Sequence, residues 1–256
     1  MQRSLFTLCL YFGSLMLLHA QQGVTVYGFP LDTIQQWVEE SPEELQAINE
    51  KCLHPDSIVY EEEYFLLYYG SAYLDGYSPY GEKMLASEVY ELLDKEKYQQ
   101  AVELCLDQVR QHPAYCRGYY NLAVSYDYLG DSTMTQIYLD RFYGLLGTAF
   151  YSGSGTSMDS AFVVRSVDDE YLIIRELGYQ RNEQHLIDDD AGVPYDMLTV
   201  FVDEETGETT DLFFNIYQPY ELGLKKMFME AKLEEEQNGS EEKPGKRRRK
   251  RRKDRG

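Results

Sequence analysis

The residues best equipped for chemistry are few, and their spacing argues against using them for it. Outside the first twenty positions the histidines are His54, His112 and His185. None pairs with another or with a cysteine at the short spacing a tetrahedral metal centre needs, so no metal ligand set is assigned. Asp188-Asp189-Asp190 gathers hard oxygen donors. It lacks the alternating ligands and turn glycine of a calcium loop and reads as a solvated acidic loop. Asp168-Asp169-Glu170 falls at the start of an expected helix, where carboxylates stabilise the helix dipole without any catalytic role. Gly153-Ser154-Gly155-Thr156 has the look of a phosphate cradle, but it lacks the lysine of a P-loop and follows a helix, not a strand. Ser154 lacks the outer glycine of a nucleophile elbow. The segment reads as a linker. No catalytic residue and no cofactor emerge.

Tyrosine is the other chemically suggestive feature, with 24 in the chain. The densest group is Tyr64, Tyr68, Tyr69, Tyr73, Tyr77 and Tyr80. Flat amphipathic rings suit sugar and peptide faces, which makes Tyr64, Tyr68, Tyr69, Tyr77 and Tyr80 the candidate binding residues. Tyr64, Leu67, Tyr68 and Ser71 also follow the three-to-four spacing of one helix face, so core packing is the favoured reading of the same residues. Cys52, Cys105 and Cys116 are an odd set scattered on helix faces, not a disulfide framework. Cys105 and Cys116 flank Pro113, and buried apolar packing is favoured over a bridge between them.

The elements that must position these residues are announced by a repeat. Leu85 recurs as Tyr119, Val89 as Ala123, Leu92 as Tyr126, Ala101 as Thr135 and Cys105 as Leu139, each after 34 residues. That is the period of tetratricopeptide helix pairs, which stack to bury a face that one pair cannot bury alone. Ahead of the repeat, Gly23–Pro30 is a short β-rich lead-in, and Asp32 opens a helix carrying Ile34, Trp37 and Val38. Ser41-Pro42-Glu43-Glu44 reads as a capping box starting a second helix, and Glu61–Leu74 forms a third. Four more helices run through Leu146. After the glycine- and serine-rich Tyr151–Ser157 joint the periodicity moves towards two. Ala161–Arg165 and Gln184–Ile187 read as strands, with a helix from Ser166 to Leu177 between them. Tyr195–Val202 and Asp211–Ile216 form a hairpin around Gly207, and a last helix starts at Pro219.

The termini speak to location. Arg3 followed by the apolar run Leu5–Leu18 and the small Ala20 has the three regions of an export signal, removed near Gln21. No later stretch has the roughly 20 apolar residues of a membrane span. The chain carries a net charge of −20. Setting aside Arg3 and the basic end Lys246–Gly256, with nine basic residues and Asp254, leaves about −29 on the body. Such a body repels nucleic acid. The basic end suits an anionic surface, and its composition with the Glu-rich run before it reads as disordered.

Three blocks resemble one family. They are Glu61-Glu62-Glu63-Tyr64 with Leu67-Tyr68-Tyr69-Gly70 and Tyr77-Ser78-Pro79-Tyr80; Ser160-Ala161-Phe162-Val163-Val164 with Asp169-Glu170-Tyr171 and Leu177-Gly178; and Tyr195-Asp196-Met197-Leu198-Thr199-Val200 with Phe213-Phe214-Asn215-Ile216. In this order they resemble the exported Bacteroidetes proteins grouped as domain of unknown function 4919, over roughly residues 25–230. The resemblance implies an envelope-located protein of this architecture and transfers no catalytic residue.

The reading is an α+β protein: a signal peptide (1–20), tetratricopeptide-like helical hairpins (21–147), a joint (148–158), a small antiparallel sheet with helices (159–232) and a disordered acidic then basic tail (233–256). The expected function is a non-catalytic interaction or assembly scaffold in the periplasm or cell envelope, or secreted, with a protein or peptide partner and no cofactor. The alternative is a carbohydrate-binding or hydrolytic envelope accessory protein.

Overall fold

The computed structural model describes residues 24–79, 82–225 and 227–229. The expected signal peptide, the tail and Tyr80 lie outside the described residues. The chain starts with a small hairpin, β1 (Thr25–Val26) and β2 (Phe29–Pro30). Tyr27 and Gly28 both have positive φ, 54° and 81°, as a two-residue turn matching strand twist requires.

Helix α1 (Leu31–Glu40) begins one residue before the expected cap Asp32. Its first amide is tied to the hairpin instead of to a side chain, because Leu31 N–H donates to the Val24 carbonyl at 2.9 Å. Helix α2 (Pro42–Leu53) has its proline in the first turn, but the capping box expected at Ser41 is not formed. Ser41 N–H is already committed to closing α1 on the Trp37 carbonyl at 2.9 Å, so one residue serves two helix ends. A capping contact forms at α3 (Glu61–Gly70), where Tyr60 N–H donates to Glu63 Oε2 at 3.0 Å.

The repeat is visible as geometry. Helices α4 (Glu82–Asp94) and α5 (Tyr98–Gln111) are followed by α6 (Cys116–Tyr128) and α7 (Ser132–Phe150), so the starts at 82 and 98 recur at 116 and 132 after 34 residues each. Val89, Ala101, Cys105, Tyr119 and Ala123 are all buried, while Thr135 and Leu139 are half-buried. Helix α6 packs between α5 and α7, and α3 lies against α7. Cys105 is a free thiol, so it makes no bridge to Cys116. Burial pushes the Cys52 and Cys105 thiols up to about 12.

The second half is a four-stranded sheet with the order β3–β6–β5–β4. Strands β4 (Gln180–Asp188), β5 (Pro194–Asp203) and β6 (Glu208–Asn215) form an antiparallel meander. The short β3 (Phe162–Val163) lies parallel to β6, which makes the sheet mixed and not wholly antiparallel as expected. A long connection separates β3 from β6, so no tight turn dictates its direction. β4 extends four residues before the expected start at Gln184. Almost every residue in it is exposed, leaving no apolar alternation to read; its pairing with β5 defines it. Helix α8 (Val167–Glu176) contributes Leu172, Ile173 and Ile174 to a core shared with Leu198, Val200, Leu212 and Phe214 of the sheet and with the helical half.

The segment read as a joint is a hydrogen-bonded loop. Ser154 and Gly155 N–H groups both donate to the Ser160 carbonyl at 2.9 and 2.8 Å, and Gly155 accepts from Phe213 N–H at 2.9 Å. A Cβ at Gly153 would strike the Ser160 and Ala161 carbonyls, and one at Gly155 would strike the Phe162 ring. The glycines there permit close approach of backbone to its neighbours.

Candidate functional site

The tyrosine cluster has a specific structural use. Strand β3 pairs with β6 through one edge and leaves the other open. Because strand backbone groups alternate sides, Val163 and Arg165 direct their N–H and C=O to that open edge, while Val164 N–H donates to Asn215 of β6 at 3.1 Å. Hydroxyls meet all four open groups. Val163 N–H donates to Ser152 Oγ at 2.7 Å and the Val163 carbonyl accepts from Tyr69 at 3.0 Å. Arg165 N–H donates to the Tyr68 hydroxyl at 3.3 Å, and its carbonyl accepts from Tyr77. Side chains thus take the place of a fifth strand, satisfying buried backbone groups that would otherwise cost free energy.

This fixes where the candidate binding residues lie. Tyr64, Tyr68 and Tyr69 are buried, with Tyr68 and Tyr69 at 0% exposure, and Tyr77 is half-buried. Tyr64 accepts from Arg141 at 3.1 Å, and its ring lies against Gly144, where a Cβ would collide with it. Tyr64, Tyr68 and Tyr69 are enclosed by protein and join α3 to α7 and β3, while Tyr77 keeps part of its surface exposed. Tyr80 lies outside the described residues.

The acidic start of α8 is more than a dipole complement. Its three carboxyls point to three elements. Asp168 forms a two-pronged ion pair with Arg117 of α6, at 2.6 and 2.8 Å. Asp169, fully buried, accepts from the Tyr68 hydroxyl of α3 at 2.7 Å. Glu170, also fully buried, faces Asp196 of β5. Among the described residues no N–H or hydroxyl donor reaches either Glu170 oxygen, so the two carboxyls pair by sharing a proton. Burial raises Glu170 well above the usual carboxylate range, with Asp196 adding to it. Burial also raises Asp196, against the opposing effect of Gln184, which donates to it at 2.8 Å. Glu170 is thus the carboxyl on which burial and its neighbour most favour the proton. Gln184 reaches Asp196 diagonally, since Leu186 is the residue directly opposite.

Strand alternation puts a cleft on the other face. Val163, Asn215 and Tyr195 are cross-strand neighbours on β3, β6 and β5 and line a cleft of about 300 Å³. All three are buried, so they form its floor. The next row, Phe162, Phe214 and Asp196, points into the core, which keeps the acid pair out of the cleft. Two carboxylates, Asp159 and Asp189, stand among the lining residues. Asp189 is held in place because its Oδ1 accepts from Ala191 and Val193 N–H, both at 2.9 Å. Val24, Ala161 and Val193 supply apolar wall, and Ala191 is exposed at the mouth. Among the described residues, no lysine, arginine or histidine lines it. Among the described residues, no group of three or more His, Cys, Asp and Glu side chains is placed to hold a metal ion.

Sequence reasoning passed over Asp196, Tyr195, Asn215 and Asp159. The strand register brings Tyr195 opposite Asn215, but a shift between Phe201 and Asp203 sets that register, so the Gly207 turn alone does not reveal that the two share a face. A family model described as Domain of unknown function (DUF4919) matches residues 32–224. No curated protein and no solved structure matches the chain.

Proposed function

This chain belongs to the DUF4919 family, and from that premise we propose that it is an exported, non-catalytic binding protein of the cell envelope. In this reading its paired helices serve as a tetratricopeptide-like scaffold, and the cleft on the sheet receives part of a partner. The observation that carries it is the place of the acid that burial favours in its protonated form. Hydrolysis of a glycoside needs, beside a second carboxyl, a proton-donating carboxyl that faces the substrate, and of the cleft's own carboxylates Asp189 is already engaged by two backbone amides. Here the paired acids, Glu170 and Asp196, are buried at the α8–β5 contact, on the face away from the cleft. The cleft offers recognition groups in their place: a buried tyrosine, a buried amide, two carboxylates and an apolar wall. Export rests on Arg3, the apolar run to Leu18 and Ala20. Among the described residues no helix is long and apolar enough to cross a membrane.

The test is capture from envelope extract by the tagged protein, run beside Ala191→Trp. Ala191 is exposed at the cleft mouth, so a large ring there blocks entry without entering the core. Partners retained by the wild type and lost with the tryptophan variant support the reading. Equal capture by both, or release of sugar fragments from envelope glycan that stops with Asp159→Asn or Asp189→Asn, would overturn it.

A further inference from the structure

The lining of the cleft specifies a chemical class of occupant. We propose that it takes the side chain of a lysine from a peptide partner, with its ammonium group between Asp159 and Asp189 and its methylene stem along the aliphatic wall. The inference rests on the cleft being the binding site and adds what enters it. Three observations converge. First, the charged residues of the lining are both carboxylates, and among the described residues no basic side chain lines the cleft beside them. Second, Asp189 is preset: two backbone amides hold Oδ1 at 2.9 Å each, and neither of those bonds uses Oδ2. A carboxylate fixed before binding loses little conformational freedom when a cation arrives. Third, Val24, Ala161 and Val193 give one part of an otherwise polar lining an aliphatic surface. They suit a flexible four-carbon stem, and lysine combines such a stem with a compact point charge carrying three donors.

The floor adds polar selectivity. Tyr195 and Asn215 are buried at 8% and 5% exposure. Asn215 Oδ1 is occupied by Tyr217 N–H at 3.1 Å, which fixes the amide. A sugar would call for an exposed aromatic face, and Tyr195 is almost wholly enclosed. The cleft, about 300 Å³, has room for a lysine side chain, which fits a peptide anchored by a single residue.

The test uses the protein as processed by its own cell, labelled with ¹⁵N and titrated with an end-blocked Ala-Lys-Ala peptide. Shifts should concentrate at Val163, Asp189, Val193 and Asn215. Acetylating the lysine should abolish them. Asp189→Asn keeps the Oδ1 acceptor and thus the loop, and should weaken binding about tenfold, the value of one charge-assisted contact. Raising salt should weaken binding further, since the mouth is open to screening. Equal binding of the acetylated peptide, shifts confined to other surfaces, or shifts with glucosamine and none with the peptide would each overturn the assignment. Loss of partner capture in Ala191→Trp without any response to the lysine peptide would sink this inference alone and leave the cleft as the binding site.

Discussion

Replacing Glu170 with glutamine should stabilise this protein at neutral pH, although the residue is fully buried. Among the described residues the wild-type carboxyl has no N–H or hydroxyl donor at either oxygen, and it faces Asp196. Glutamine has nearly the same shape and donates to Asp196 without having to hold a proton, so the cost of keeping Glu170 protonated is removed. The pH dependence has a definite sign. Glu170 is raised on folding, chiefly by burial, so the folded state holds a proton that the unfolded chain releases. Below the unfolded carboxylate range, Glu170 is protonated in both states and donates to Asp196 much as glutamine does; the variant and wild type should then match. As pH rises above that range, wild-type stability falls by about 1.4 kcal/mol per unit while the proton is retained. The glutamine variant lacks that slope. Urea denaturation at pH 4, 5, 6 and 7 should show a gap that opens with pH and levels off once Glu170 ionises in the native state. At neutral pH the melting temperature should rise by about 2–4 °C per kcal/mol for a domain of this size. Asp169 lies beside the pair but is held by Tyr68 at 2.7 Å, so it should not mask the effect. A glutamine variant that is less stable by the same amount at every pH would refute the shared-proton account.

Further outcomes follow from the same packing. Ala101 is fully buried in α5, so Ala101→Phe should overpack the helix pair and cost roughly 1–3 kcal/mol in urea denaturation. Tyr68→Phe removes the donor to Asp169 and the acceptor for Arg165 N–H; denaturation should show a loss of about 1–3 kcal/mol, larger than for Tyr128→Phe on the exposed end of α6. The thiols of Cys52 and Cys105, pushed up to about 12 by burial, should resist iodoacetamide in the native protein at pH 8 and react fully in denaturant, as followed by mass spectrometry.

The sequence by itself determined the helices, because helix signals are local. The apolar spacing in Tyr64, Leu67 and Tyr68 and the recurrence of Val89 as Ala123 lie within a few turns of chain or one repeat period. The helix starts at 82, 98, 116 and 132 repeat that period in space. The hairpin around Gly207 was legible for the same reason, with a positive φ of 72° at the turn. β4 was legible only in part, since a strand polar on both faces has no periodicity and exists through its partner. What the tertiary structure alone decided are pairings between distant residues. Tyr68, Tyr69 and Tyr77 carry the marks of a binding surface in sequence, yet they close the open edge of β3 almost a hundred residues away. Glu170 reads as a helix-dipole residue until β5 brings Asp196 against it, and the cleft gathers Val24, Asp159, Asp189 and Asn215 from four separate segments. A hydroxyl or a carboxyl is chemically the same in either role. Burial and the partner across the contact select the role, and both are properties of packing that no stretch of sequence contains.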